Sequence, residues 1–191
     1  MFDKNEYFQA MAHAVCSAGK VERSELKAFK IDDSDGIAEA IGFYPNMISK
    51  VDYFAEKGLL IQLVELSDLE QDIKSCHIKI SEALNEIELN TTIPQKWKRE
   101  QKKAIIKDAW KKIADEFFKK WSGSIAVIER LYRKTSQSVD SDPEYSLLIV
   151  CKNITDVKIL DALTIKLNGQ CGIMQTIQVC NTKHLDKFLL R

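Results

Sequence analysis

Apolar residues recur at three- and four-residue intervals through the first two thirds of the chain and gather into short continuous runs in the last third. Tyr7, Phe8, Met11, Ala14 and Val15 share one helical face, so the spacing predicts a helix over 4–18. A second short helix is expected over 22–29, before the acidic turn Ile31-Asp32-Asp33-Ser34-Asp35-Gly36. Ile37 and Ile41, then Phe43, then Ile48 and Val51 fall where two crossed helices joined by a tight turn would bury all five side chains, and Ala55, Leu59 and Leu60 continue the stripe. Ala38 is small where the helices approach, and Gly42 can take the left-handed conformation that ends the first one. The second helix is expected over 46–57, with Pro45 at its start. Leu59 to Leu66 reads as one strand.

Ser67-Asp68-Leu69-Glu70 has the form of a capping box and predicts the start of a long helix. Leu66, Leu69, Ile73, Cys76, Ile80, Ala83 and Ile87 then form an a/d seam. Two readings stay open: a coiled coil joining two copies, or packing against the next helix. That next helix is predicted over 95–121, with Ile106, Trp110, Ile113, Phe117 and Trp121 on one face and Ser122-Gly123 ending it. The stretch 124–134 fits either a strand or a helix, and the glycine before it favours a strand. Tyr145 to Cys151 has the composition of a buried central strand. A helix should run from Asn153 and Asp156 to about Leu167, followed by a strand over 172–180 and a short terminal helix with Leu185, Phe188 and Leu189. The expected class is therefore α+β. It has a mainly helical unit at 1–65, a long helical hairpin at 66–121 and a small α/β sheet unit at 122–191.

The run of hydrophobic residue, alanine, two variable residues, hydrophobic residue, glycine and later isoleucine or valine resembles the helix-turn-helix of bacterial and phage repressors over residues 33–58. It departs from that pattern at Tyr44-Pro45, where such motifs carry Ser or Thr as a cap. The resemblance implies sequence-specific DNA binding in transcription regulation, by a dimer whose two recognition helices read a palindrome. On that reading Tyr44, Asn46, Met47, Ser49, Lys50 and Tyr53 face the major groove; Asn can pair with adenine, Lys with guanine or phosphate, and Met with a thymine methyl.

Charge complicates that expectation. The formal net charge is zero, yet residues 1–90 carry 9 basic against 17 acidic side chains, residues 91–134 carry 13 against 5, and residues 135–191 carry 6 of each. Phosphate neutralisation supplies most non-specific affinity for nucleic acid, and the first 90 residues are poorly equipped for it. The basic helix can fill the gap: Lys96, Lys98, Arg99, Lys102 and Lys103 surround Trp97, which lies off the apolar face and can stack on a base or sugar. Two other classes remain. One is a non-enzymatic interaction module, adaptor or inhibitor, using its acidic half. The other is an RNA-binding protein centred on the basic helix. A protein partner is expected to meet the carboxyl-terminal unit.

Catalysis and metal binding have little local support in the sequence. Five cysteines are widely spaced with no Cys-x-x-Cys pair, which fits reduced thiols in the cytoplasm rather than a disulfide framework or zinc cluster. His13 precedes Cys16 by three residues, His77 follows Cys76 and His184 follows Cys180 by four, but no third ligand is near any pair. No glycine-rich phosphate loop, nucleophile elbow or catalytic carboxylate pair stands out, so no cofactor, no metal and no enzymatic activity are expected. No run of eighteen apolar residues predicts a membrane span.

Overall fold

The computed structural model describes residues 2–13, 21–135, 142–170 and 176–190. Its centre is a six-stranded mixed sheet in the order β1 to β6, each strand beside its neighbour in sequence. The strands are β1 (Phe8–Ala12), β2 (Arg23–Lys30), β3 (Tyr53–Lys57), β4 (Leu60–Ser67), β5 (Glu144–Cys151) and β6 (Ile177–Asn181). β1 to β4 form an antiparallel meander, whereas β5 and β6 run parallel to β4. Parallel neighbours need long crossovers, and helices supply them. α2 (Leu69–Leu89) and α3 (Gln95–Lys134) link β4 to β5, and α4 (Val157–Gln170) links β5 to β6. A single turn, α1 (Ile37–Ala40), precedes β3, and α5 (Leu185–Phe188) follows β6.

The fold is mixed α/β, and one sheet takes strands from both 1–65 and 122–191, the ranges expected to form separate units. The first 60 residues are the largest departure from expectation. In place of helices over 4–18 and 22–29, the chain makes a short 3-10 turn at Lys4–Tyr7 and the strands β1 and β2. Aromatic packing across the sheet is the physical reason. Phe8 lies 5.0 Å from Phe29, and Phe29 lies 5.0 Å from Phe54, ring centre to ring centre, a cross-strand ladder that a helix would break up.

The helix pair expected at 37–57 is absent. α1 has four residues, and after turns and bends the chain enters β3 at Tyr53, so no recognition helix follows Pro45. The Met47 amide donates to the Tyr44 carbonyl at 3.1 Å, and Asn46 has φ of 63°. These are the marks of a type II turn, for which Pro at the second and Asn at the third position are favoured. Tyr44-Pro45-Asn46-Met47 is thus turn chemistry. The burial pattern was readable in part: Ile37, Ala38, Ile41 and Val51 are fully buried and Gly42 takes φ of 93°. Phe43 and Ile48 are half-buried, and Ala55 is buried on the other face of the sheet. Leu59 and Leu60, expected to continue the stripe, are exposed because they lie at the β3–β4 turn.

Later elements follow the sequence more closely. β4, α2, β5, α4, β6 and α5 all form near their expected places. The N-cap of α2 is Asp68, with no side-chain cap bond, so the expected capping box at Ser67 is not used. Ile73 and Ile80 of the α2 seam sit in the core cluster that holds Trp110 and Ile113, so within one chain the seam packs on α3. α3 runs 40 residues, through Gly123 and through the stretch expected as a strand. A Cβ on Gly123 would lie 1.9 Å from the Ser49 carbonyl oxygen, so this glycine admits a crossing loop rather than ending a helix. Val127, Ile128 and Leu131, all fully buried, hold the helix together beyond it.

The sheet buries both faces. Phe29, Phe54, Ile61, Leu63, Leu147 and Ile149 pack against α2, α3 and α4, while Tyr53, Ala55, Val64, Leu148 and Val150 pack beneath Leu185 and Leu189. Among the described residues, no helix is long and apolar enough to cross a membrane.

Candidate active site

β4 is buried from Ile61 through Glu65, a pattern that follows from its central place between β3 and β5. Two polar side chains lie within this buried stretch. Gln62 points to the face covered by the terminal segment, where its amide donates to the Phe188 carbonyl at 3.0 Å and accepts from the Leu190 amide at 2.8 Å. Glu65 is on the other face, the one shared by Ile61 and Leu63, and is 3% exposed.

The pairing of Tyr53 with Val64 and of Phe54 with Leu63, carried one residue further, sets Asp52 directly opposite Glu65. Directly opposed residues share a face, so both carboxylates stand on the side of the long helices. Asp52 accepts a hydrogen bond from the Leu66 amide at 2.7 Å through Oδ2. Lys120 of α3 forms an ion pair with Oε1 of Glu65. Oε2 of Glu65 is buried and has no hydrogen-bond partner among the described residues. A buried carboxylate oxygen without a partner carries a desolvation cost that folds rarely tolerate outside functional sites.

Electrostatics set these groups apart from ordinary surface charges. Burial pushes the Glu65 carboxyl up to about 8, with the Asp52 charge adding to the effect and Lys120 opposing it. Burial likewise raises Asp52 to about 6 against the pull of the Leu66 amide and Lys120. For Lys120, burial works against the charge, but Glu65 and Asp52 outweigh it and hold the ammonium above its usual value. The result is a fixed cation over two carboxyls that share a proton-retaining environment.

Of these three groups, Lys120 alone reaches the neighbouring cavity; Asp52 and Glu65 do not line it. The cavity, of about 520 Å³, is lined by Lys120 together with Asp32, Asp33, Glu39, Asn46, Ser49 and Lys50. The loop at the mouth is held by two close contacts with α3: the Ser49 carbonyl against Gly123, and the Val51 amide donating to Ser124 Oγ at 2.8 Å. Among the described residues there is no group of three or more His, Cys, Asp and Glu able to hold a metal ion. Asp52 and Glu65 are two carboxyls beside one ammonium, short of such a group.

The residues expected to read DNA divide into three groups. Asn46, Ser49 and Lys50 line the cavity, where Lys50 also pairs with Asp32 at 2.7 Å. Tyr44 and Met47 are exposed on the turn at its edge, 78% and 59% respectively. Tyr53 is buried on the opposite face of the sheet, its hydroxyl accepting from the Ala12 amide at 3.4 Å, and cannot meet a ligand there. In the basic helix, Lys98 is buried and donates to the Glu88 carbonyl at 2.9 Å, and Lys102 pairs with the Glu88 carboxylate. Lys96, Trp97, Arg99 and Lys103 are exposed.

Of the histidine and cysteine pairs, Cys16 and Cys171 lie outside the described residues, as do the side chains of Cys76 and His77. His13 is buried, with Nε2 3.0 Å from Thr182 Oγ1. Its pKa is lowered, chiefly by burial, with Lys152 adding to the effect and Glu22 and Asp68 opposing it. Asp52, Glu65 and Lys120 were not singled out by sequence. The available signal was a carboxylate inside the run Leu59–Leu66, apolar but for Gln62, where a buried charge is costly. No family model, curated protein or solved structure matches the chain.

Proposed function

We infer that the protein is a Mg²⁺-dependent hydrolase of phosphodiester bonds, acting on nucleic acid at Asp52, Glu65 and Lys120. The single observation that carries this reading is the half-satisfied Glu65: a carboxylate 3% exposed, opposite a second carboxylate and beside a lysine, with one oxygen left without a partner. Asp52 and Glu65 would hold a Mg²⁺ ion through their carboxylates, Glu65 through the oxygen that lacks a partner among the described residues. The chemistry such an ion supplies is to polarise a phosphoryl oxygen and to lower the pKa of a coordinated water.

The chain's own groups do the rest. Glu65 is held by its place on β4 and by Lys120, and Asp52 by the Leu66 amide that donates to its Oδ2, so both carboxyls are set in place before any ligand arrives. Lys120, held charged, faces the cavity and stabilises negative charge that develops on the phosphoryl oxygens. In the net reaction a water oxygen bonds to phosphorus, one ester P–O bond breaks, and the leaving alkoxide takes up a proton. The products are a phosphomonoester and a hydroxyl. This reading replaces a regulator that reads DNA with a helix over 46–57, since that segment carries the turn and β3 instead.

Incubation of the purified protein with labelled DNA and RNA in Mg²⁺, Mn²⁺ or EDTA tests the reading. Cleavage requiring the divalent ion and lost in Asp52→Asn and Glu65→Gln is expected. Equal cleavage in EDTA, or in both variants, would rule it out.

A further inference from the structure

Resting on the phosphodiesterase reading, we propose that Arg99, Lys103, Lys107 and Lys111 of α3 form a docking ridge for the backbone of duplex DNA outside the cleavage site. The four cations recur every fourth residue, so successive members rise about 6 Å along the helix and the ridge spans about 18 Å. All four are exposed, and among the described residues none is paired with a carboxylate. This separates them from three other bases of α3, though Lys96, Lys112 and Lys119 are exposed as well. Lys98 and Lys102 are neutralised by Glu88, and Lys120 by Glu65.

The ridge is continuous with the site. Lys107 and Lys111 line one surface depression together with Asp108. Lys111 also lines a second, with Ser49, Lys112 and Lys119. Ser49 in turn lines the cavity of Lys120. Lys111 stands about 13 Å along the helix from Lys120. Asp108 lines both depressions and Asp115 and Glu116 line the second, so positive charge there is offset in part.

The form of the ridge favours a duplex. Cations held on a rigid helix match phosphates that are already ordered, whereas a single strand would have to be ordered at binding. The hairpin of α2 and α3 is two helices wide, about 20 Å, and the major groove is about 12 Å, so the ridge meets the backbone rather than base edges. Binding is therefore independent of sequence and strongly dependent on salt.

The test is fluorescence anisotropy with a labelled 20-base-pair duplex in EDTA, where binding is read without hydrolysis. The variants are full-length protein carrying Arg99→Gln, Lys103→Gln, Lys107→Gln and Lys111→Gln together, and the two halves of that set separately, each checked for helical content. The fourfold variant is expected to bind on the order of 10²-fold more weakly near 0.1 M salt, with the slope of log K against log salt reduced by about 3 to 4. Each half-set is expected to lose about half that slope. Wild-type affinity and slope in the fourfold variant, or in both half-sets, would overturn the ridge. Glu65→Gln is expected to bind as the wild type does in EDTA while failing to cleave in Mg²⁺, so loss of docking and loss of the hydrolase reading are separate results.

Discussion

Gln62 and Glu65 lie three residues apart on one buried strand and point to opposite faces, yet the protein treats them differently. Both amide atoms of Gln62 are satisfied by main-chain groups of the terminal segment, so its burial ties that segment to the sheet. Glu65 has one oxygen on Lys120 and one without a partner among the described residues, and its carboxyl is held far above its ordinary pKa by burial. The same fold that satisfies Gln62 so completely leaves that oxygen bare, which is what the proposed cation would complete. The comparison teaches that buried polarity is structural where its hydrogen bonds close within the chain, and functional where they do not.

The largest expected effect breaks the comparison at Glu65. Glu65→Gln should lower the hydrolysis rate by on the order of 10³-fold, about 4 kcal/mol of barrier, measured as single-turnover cleavage in Mg²⁺. Folding stability should change little near neutral pH, because burial already keeps the Glu65 carboxyl largely protonated there. Gln62→Ala should do the reverse. Leaving the Phe188 carbonyl and Leu190 amide unpaired should cost about 1 to 3 kcal/mol in denaturant unfolding, with turnover per folded molecule unchanged.

Gly123→Ala sharpens the comparison on the Glu65 side. Its new Cβ would meet the Ser49 carbonyl and force the cavity loop outward, costing about 1 to 3 kcal/mol in the same unfolding experiment. Alanine at Gly58 has open space around it and strains only the turn, where φ is 63°. It should cost less.

The pH dependence of stability tests the same two carboxyls without substitution. Glu65 and Asp52 both have folded-state values above their ordinary ones of 4.5 and 3.8, so the folded protein binds more protons than the unfolded chain between those limits. Their favourable contribution is complete below about pH 4 and is lost as pH rises through about 6 for Asp52 and about 8 for Glu65. Thermal melts across pH 5 to 9 should therefore show a fall in Tm that flattens at the upper end. Glu65→Gln should remove the upper part of that fall.

How much of this was legible in the sequence depended on which forces decided each element. Continuous apolar runs and long amphipathic helices declared themselves, as at Tyr145–Cys151 and along α2, because burial on both faces or along one stripe leaves a periodic record. The amino-terminal strands did not. Phe8, Phe29 and Phe54 find one another only across strands that are far apart in sequence, and local spacing mimics helices. In the stretch 37–51 the burial of Ile37, Ala38, Ile41 and Val51 was legible while the conformation was not. An isolated helical turn followed by a Pro-Asn turn buries the same positions that two crossed helices would. The site was hidden for a related reason: Asp52 and Glu65 meet through strand register, and Lys120 comes from a helix more than fifty residues away. The basic helix was visible as composition, but only packing shows that Lys98 and Lys102 are taken up by Glu88 while Arg99 and Lys103 are not.

The central claim is that Asp52 and Glu65 together hold a divalent cation, and titration of the wild-type protein with Mn²⁺ by calorimetry, in two buffers of different ionisation enthalpy, tests it most directly. Binding of one ion with release of protons, abolished in Glu65→Gln and in Asp52→Asn, is the predicted result. Mn²⁺ binding of the same stoichiometry and affinity in wild type and both variants would contradict it.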